Sequence, residues 1–190
     1  MPLHRRIATR VVALTGLALL VVACGDTTSL PAPAFTNVVD TVSLFALRGT
    51  SNVQLPSAYT LETAQTVRTD QSTQLDFAFD FDSLGAPALF PTGAINLGLL
   101  SGLQWSTTRF DAITLAPTTG YILDKPIVLD TGTVVLVRSR PTQCLFGVTV
   151  SLYAKLRVLG VDSTARRLDF EILVDQNCGY RGLEPGLPKQ

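Results

Sequence analysis

From Phe35 onward the chain alternates apolar and polar residues with a period of two, in runs bounded by clusters of Gly, Pro, Asp and Asn. Successive side chains leave a strand on opposite sides, so this period marks strands with one face on a core and the other on solvent. The expected fold is all-β: a single-domain antiparallel sandwich of about eight strands over residues 35–190, with at most one short helix.

The clearest strand is Thr73 to Asp82, where Leu75, Phe77, Phe79 and Phe81 point one way and Asp76, Asp80 and Asp82 the other, with Ala78 between them. Three aromatic rings assign the odd face to the core, because each buries a large apolar area. The even face is expected to be a solvated acidic surface. Asp80 to Gly85 partly resembles a calcium loop of the EF-hand kind, but Leu84 cannot ligate at the fifth position and Pro91 replaces the bidentate acid at the twelfth. No metal site is expected.

Other segments are read by the same rule. Val38 to Leu47 is β-branched and apolar on both faces, which predicts a central strand. Gly49 to Pro56 reads as a loop. Tyr59 to Arg68 alternates as one half-buried strand ending in a turn at Thr69 to Ser72, and Ala88 to Phe90 reads as a short strand followed by an irregular connection to Gln104. Thr108 and Asp111 have the spacing of a capping box and predict one or two helical turns from Arg109 to Leu115, stopped by Pro117 and Gly120. Lys125 to Leu129 and Thr133 to Val137 flank Asp130-Thr131-Gly132, a hairpin signal with glycine placed for positive φ. The tail Tyr180 to Gln190 carries glycines and prolines that deny it structure of its own.

Val148 to Leu159 and Arg167 to Asp175 form a second hairpin whose apolar residues are even-numbered on both strands, from Val148 to Val158 and from Leu168 to Val174. Both sets face one core, so antiparallel partners must have numbers adding to an even total. Centring the turn on Ser163 gives 326, which pairs Leu156 with Phe170 and sets Lys155 against Glu171 and Arg157 against Asp169 outside. Such exposed pairs are worth about 0.2 to 1 kcal/mol each. Totals of 324 or 328 keep the faces and change the ion pairs. Cys144 and Cys178 lie beyond the open end of this hairpin, where a disulfide would clasp its base if the strand bends around Phe146 and Gly147.

The first 34 residues differ in kind. Arg5, Arg6 and Arg10 precede an apolar run from Val11 to Val22, and Val21-Val22-Ala23-Cys24 supplies a small-residue cleavage site. A run of twelve residues falls short of the roughly 20 that cross a bilayer. The segment resembles the signal and lipobox of bacterial lipoproteins. That resemblance implies cleavage after residue 23 and lipidation of Cys24, and Ala8, in place of a large apolar residue two positions after Arg5-Arg6, points to general secretion rather than twin-arginine export. Gly25, rather than an aspartate, follows the cysteine, which in that family implies a lipid-anchored position in the cell envelope at the outer membrane, facing the periplasm. Residues 24–34, ending in Leu-Pro-Ala-Pro-Ala, would be a flexible tether reaching at most about 35 Å.

Removing the signal takes three of 15 basic residues and none of the 15 acids, leaving 12 against 15, a formal charge of −3. An acidic domain has no electrostatic basis for binding nucleic acid. It also takes the single histidine, His4. Histidine-based catalysis and histidine-ligated zinc are thereby excluded from the domain, and no cofactor motif is present. Cys144 and Cys178 remain as one pair in an oxidising compartment, and their disulfide would stabilise the fold by about 4 kcal/mol.

Two kinds of chemistry stay open. Trp105, Tyr121, Tyr153 and Tyr180 are candidates for contacts to an envelope protein or a glycan. Among Glu62, Asp76, Asp80, Asp111 and Asp124, two acids brought together would suit glycoside hydrolysis. Asn177 to Gly182 and Gly186-Leu187-Pro188 resemble small uncharacterised bacterial lipoproteins with one β-domain, a likeness that carries no activity. The expected function is a non-catalytic binding or assembly module anchored to the membrane through its N-terminal lipid; the alternative is a carbohydrate-active hydrolase using paired carboxylates.

Overall fold

A computed structural model of the chain describes residues 30–49, 54–144 and 147–189. The expected signal at 1–23, the lipidation site Cys24 and most of the tether lie outside the described residues. From Ala32 on, the chain builds one unit. It is all-β, a sandwich of two antiparallel five-stranded sheets. In chain order the strands are β1 Val39–Phe45, β2 Ala58–Thr60, β3 Gln65–Val67, β4 Phe77–Phe81, β5 Pro87–Pro91, β6 Gly102–Ser106, β7 Ile127–Val128, β8 Val134–Arg138, β9 Thr142–Gln143, β10 Thr149–Val150, β11 Tyr153–Asp162 and β12 Arg167–Asp175. The first sheet runs β1-β12-β11-β8-β6 and the second β3-β2-β4-β5-β7, with β9 and β10 forming a two-stranded ribbon. The count exceeds eight because several strands are only two or three residues long.

Between the sheets, Val135, Val137, Leu156, Val158, Leu168, Phe170 and Ile172 meet Tyr59, Leu61, Phe77, Phe79, Leu89 and Leu129. Tyr59 and Phe77 stack at 5.6 Å between centroids, and Phe170 meets both edge-on at 6.3 and 6.1 Å. These are the offset and T-shaped geometries that aromatic quadrupoles favour. The outer face of the first sheet is also covered: Val134, Leu136 and Leu173 pack under Phe110, Ile113, Ala116 and Leu183. Four consecutive buried residues in β8 therefore reflect a strand enclosed on both sides.

Several expectations change. Val38 to Leu47 is not a central strand: among the described residues β1 pairs only with β12, and it is largely exposed along its first half. It reads as apolar on both faces because its end crosses between sheets, with Phe45 N–H donating to Pro56 O at 2.9 Å and Leu47 N–H to Phe79 O at 3.0 Å. Tyr59 to Arg68 is two strands, β2 and β3, joined by a tight turn in which Ala64 has φ 51°. The irregular connection to Gln104 contains a 3-10 turn at Thr92–Ile95 and then β6. Gly102 begins β6 because a Cβ there would sit 2.7 Å from Tyr121 Cβ and from Leu123 Cδ2.

The capping box does not form. Arg109, not Thr108, precedes a single 3-10 turn at Phe110–Ala112, and no side chain caps it. The Asp130-Thr131-Gly132 turn has its glycine at φ 86°, but it is not a hairpin within one sheet. β7 pairs with β5 in the second sheet and β8 with β6 and β11 in the first, so the turn links the two layers.

The long hairpin keeps its faces over β11 and β12 and shifts its register, whereas Val148, expected on the same core face, is exposed and leads into the separate β9-β10 ribbon. From Tyr153↔Asp175 to Val158↔Phe170 the partners add to 328, not 326, and a bulge at Leu159 then moves Gly160 opposite Asp169. Arg157 consequently lies opposite Glu171 rather than Asp169. The bulge absorbs the extra residue that a turn with Arg166 at φ 51° leaves on β11. Lys155 falls opposite Leu173 and is buried instead of exposed, its Nζ donating to Phe110 O at 2.8 Å and Ile113 O at 2.9 Å. Burial pulls its pKa down from the usual lysine value. The peg holds the covering loop against the sheet.

Cys144 and Cys178 form the disulfide, with their Cα atoms 6.0 Å apart. The chain reverses between β9 and β10, where Cys144 N–H donates to Val148 O at 2.7 Å and Gly147 has φ 75°. This reversal supplies the expected bend; Phe146 lies outside the described residues. Among its described residues the C-terminal tail forms no strand of its own, yet Leu183 is buried and Gly186 bridges Asn37.

Candidate functional site

The expected acidic face of β4 is not solvated. Asp76 and Asp80 are 0% and 1% exposed, a correction to their reading as surface residues, while Asp82 is half-buried. Each buried carboxylate is met by arginines from distant parts of the chain. Ala78 between them is small enough for Leu47, Ile95 and Leu97 to pack over the same face.

Asp76 Oδ2 accepts the backbone N–H of Leu61 at 2.7 Å, and Oδ1 accepts that of Arg140 at 2.8 Å. The Nε of Arg140 stands 3.6 Å from Oδ1. Burial pushes the Asp76 carboxyl above the ordinary carboxylate range, against these hydrogen bonds and the Arg140 charge. Arg140 follows β8 in the first sheet and reaches across to the second. Its Nη2 donates to Glu62 Oε2 at 3.1 Å and its Nη1 to Gln74 Oε1.

This guanidinium forms one wall of a cavity of about 520 Å³. Glu62, Thr66, Arg68, Gln71 and Gln74 are among its other lining residues, with Pro56 and Val67 as its apolar members. Its two arginines are held in place: Arg68 by Asp70 through Nε at 3.2 Å and Nη2 at 2.6 Å, and Arg140, whose side chain is only 12% exposed, by Glu62 and Gln74. Carboxylate, guanidinium, amide and hydroxyl groups converge there as both donors and acceptors.

Of the five acids considered for hydrolysis, Glu62 is the one lining this cavity among the described residues. Asp76 stands behind Arg140 with both oxygens engaged by backbone amides. Asp80 is engaged by Arg48 and Arg166. Asp111 and Asp124 are exposed elsewhere.

The four aromatic candidates do not form one patch. Trp105 is 57% exposed on edge strand β6, in phase with the inward Leu103. Tyr121 and Tyr153 lie on the opposite, outer face of that sheet, rings 6.2 Å apart, with the Arg138 guanidinium 5.5 Å over Tyr121. The Tyr121 hydroxyl donates to Pro117 O at 3.0 Å, and burial raises its pKa. Tyr180 is buried.

Arg140 carried no distinguishing mark in the sequence beyond its place after a strand. The available signal was Ala78 between two acids, a small residue where a solvated face would accept a large polar one. Among the described residues no cluster of three or more Asp, Glu, His or Cys side chains is arranged to hold a metal ion. No protein-family model matches the chain, and no curated protein matches its sequence.

Proposed function

We propose that this chain is a lipid-anchored protein of the bacterial cell envelope whose β-domain is a non-catalytic module binding a polar envelope glycan in the cavity walled by Arg140. The carrying observation is the cavity's mixed wall: groups that both donate and accept match a hydroxyl-rich ligand, and the bonds of Arg140 to Glu62 and Gln74 and of Arg68 to Asp70 hold four of the lining side chains before binding. The anchoring half rests on Arg5, Arg6, Arg10 and the Val21-Val22-Ala23-Cys24 box.

The hydrolase alternative draws on one contact set, Glu62 and Asp76 both beside the Arg140 guanidinium. A glycosidase needs two carboxyls that reach the bond. Asp76 does not line the cavity, which favours binding over cleavage.

Co-sedimentation of the full chain with purified cell-wall glycan tests the module. Saturable binding weakened at least about fivefold by Gln71→Ala is expected, and unchanged binding in that variant contradicts it. Intact mass of the membrane fraction tests the anchor: a mature start at Cys24 carrying acyl mass is expected, and Cys24→Ser should leave the precursor uncut.

A further inference from the structure

We propose that a second cavity, between Arg48 and Arg166, is a binding site for the carboxylate of a small acid with an apolar body. The inference is independent of the glycan reading. The two arginines come from opposite ends of the chain: Arg48 follows the crossing end of β1, and Arg166 closes the β11-β12 turn at φ 51°, a conformation that is costly for an L residue.

Both converge on Asp80. Arg48 Nε donates to Oδ2 at 2.6 Å, and Arg166 Nη2 donates to Oδ1 at 3.2 Å, which also accepts Phe81 N–H at 2.8 Å. Each guanidinium has further fixings. Arg48 Nη2 donates to Phe81 O at 3.4 Å, Arg166 Nε donates to Arg48 O at 3.0 Å, and the Arg166 guanidinium lies 4.5 Å over the Phe81 ring. Both Asp80 oxygens are thereby engaged, which leaves the remaining N–H groups of the two guanidinium groups to other acceptors. No hydrogen bond among the described residues engages Nη1 of either arginine, and the Arg48 side chain is 72% exposed.

Both arginines belong to the lining of a cavity of about 680 Å³, whose apolar members include Phe90, Ala94 and Pro126. Asp82 stands in the same lining, its Oδ1 held by the N–H groups of Leu84 and Ala86 at 2.8 Å each. Arg48, Arg166, Asp80 and Asp82 sum to zero charge. A monoanion leaves one negative charge, whereas a dianionic phosphate leaves two beside Asp82. The planar guanidinium fork also matches a carboxylate with two parallel hydrogen bonds, and the apolar members accept a ring or aliphatic body.

Calorimetric titration of the full chain at pH 7 with benzoate, N-acetylphenylalanine, benzamide and inorganic phosphate tests the site. The two carboxylates represent a free acid and a peptide terminus, and the tighter of them identifies the source. Saturable binding of at least one is expected, weakened about tenfold or more in Arg48→Ala, with benzamide and phosphate at least tenfold weaker. Arg48→Lys keeps a positive charge near Asp80 and removes the fork, so a loss of affinity is expected there too, with thermal unfolding of both variants showing the fold intact. Benzamide or phosphate binding as tightly as the carboxylates, no carboxylate binding, or affinity unchanged in Arg48→Lys would overturn the proposal.

Discussion

The backbone N–H of Arg140 donates to Asp76 Oδ1 at 2.8 Å while its guanidinium pairs with the same oxygen at 3.6 Å, so one residue leaving the first sheet meets, by a hydrogen bond and an ion pair, the carboxylate that leads into β4, the middle strand of the second. The tie joins the two layers beside the cavity proposed to bind glycan. Asp76→Ala leaves Arg140 without its buried counter-charge and the Leu61 and Arg140 amides without an acceptor. A loss of about 3 to 5 kcal/mol is expected in urea denaturation.

The core assignment gives a separate test. Phe79 is fully buried, edge-on to Phe81 at 5.5 Å, on the inner face of β4. Phe79→Ala should cost about 3 to 5 kcal/mol. Chemical denaturation checks it.

Asp175 supplies the pH dependence. Its Oδ1 accepts Asn177 N–H at 3.0 Å and Asn177 Nδ2 at 2.9 Å, but burial outweighs these bonds and raises the carboxyl above its ordinary 3.8. The fold thus favours the protonated form. That contribution is fully present below the unfolded value and is lost as pH rises through the folded one. Relative to Asp175→Asn, which does not titrate, the natural chain should lose stability from about pH 4 toward neutrality. Unfolding free energies of both chains across that interval measure the effect.

The Cys144–Cys178 bond closes a separation of 34 residues and holds the β9-β10 ribbon against the chain beyond β12. Replacing both cysteines with serine should cost about 4 kcal/mol in the chain-entropy account. Thermal unfolding under oxidising conditions gives the comparison, and the natural chain under reductant should match the variant.

What was legible in the sequence was local: Phe77 and Phe79 facing inward, the even face shared by Leu156 and Phe170, the glycine turn at Gly132. What was not legible depended on partners far along the chain. Asp76 and Asp80 look solvated in any local window, because the arginines that meet them stand 64 residues away for Asp76 and 32 and 86 residues away for Asp80. The Asp130 to Gly132 turn has the chemistry of a hairpin, and only the competing strands β5 and β11 send its two arms to different sheets. Face parity fixed the hairpin to an even total, but the choice between 326 and 328 turned on the Leu159 bulge, which no alternation rule locates. The aromatic candidates dispersed because strand phase, not sequence spacing, assigned Trp105 and Tyr153 to opposite faces.

The most direct measurement is amide chemical-shift mapping of the full chain during titration with cell-wall glycan fragments, with the fragments recovered afterwards for mass. The account predicts saturable shifts concentrated at Glu62, Thr66, Arg68, Gln71 and Gln74, and fragments recovered uncut. Shifts centred on Trp105 or the Tyr121–Tyr153 pair, no saturable shifts, or fragments shortened in the presence of protein would contradict it.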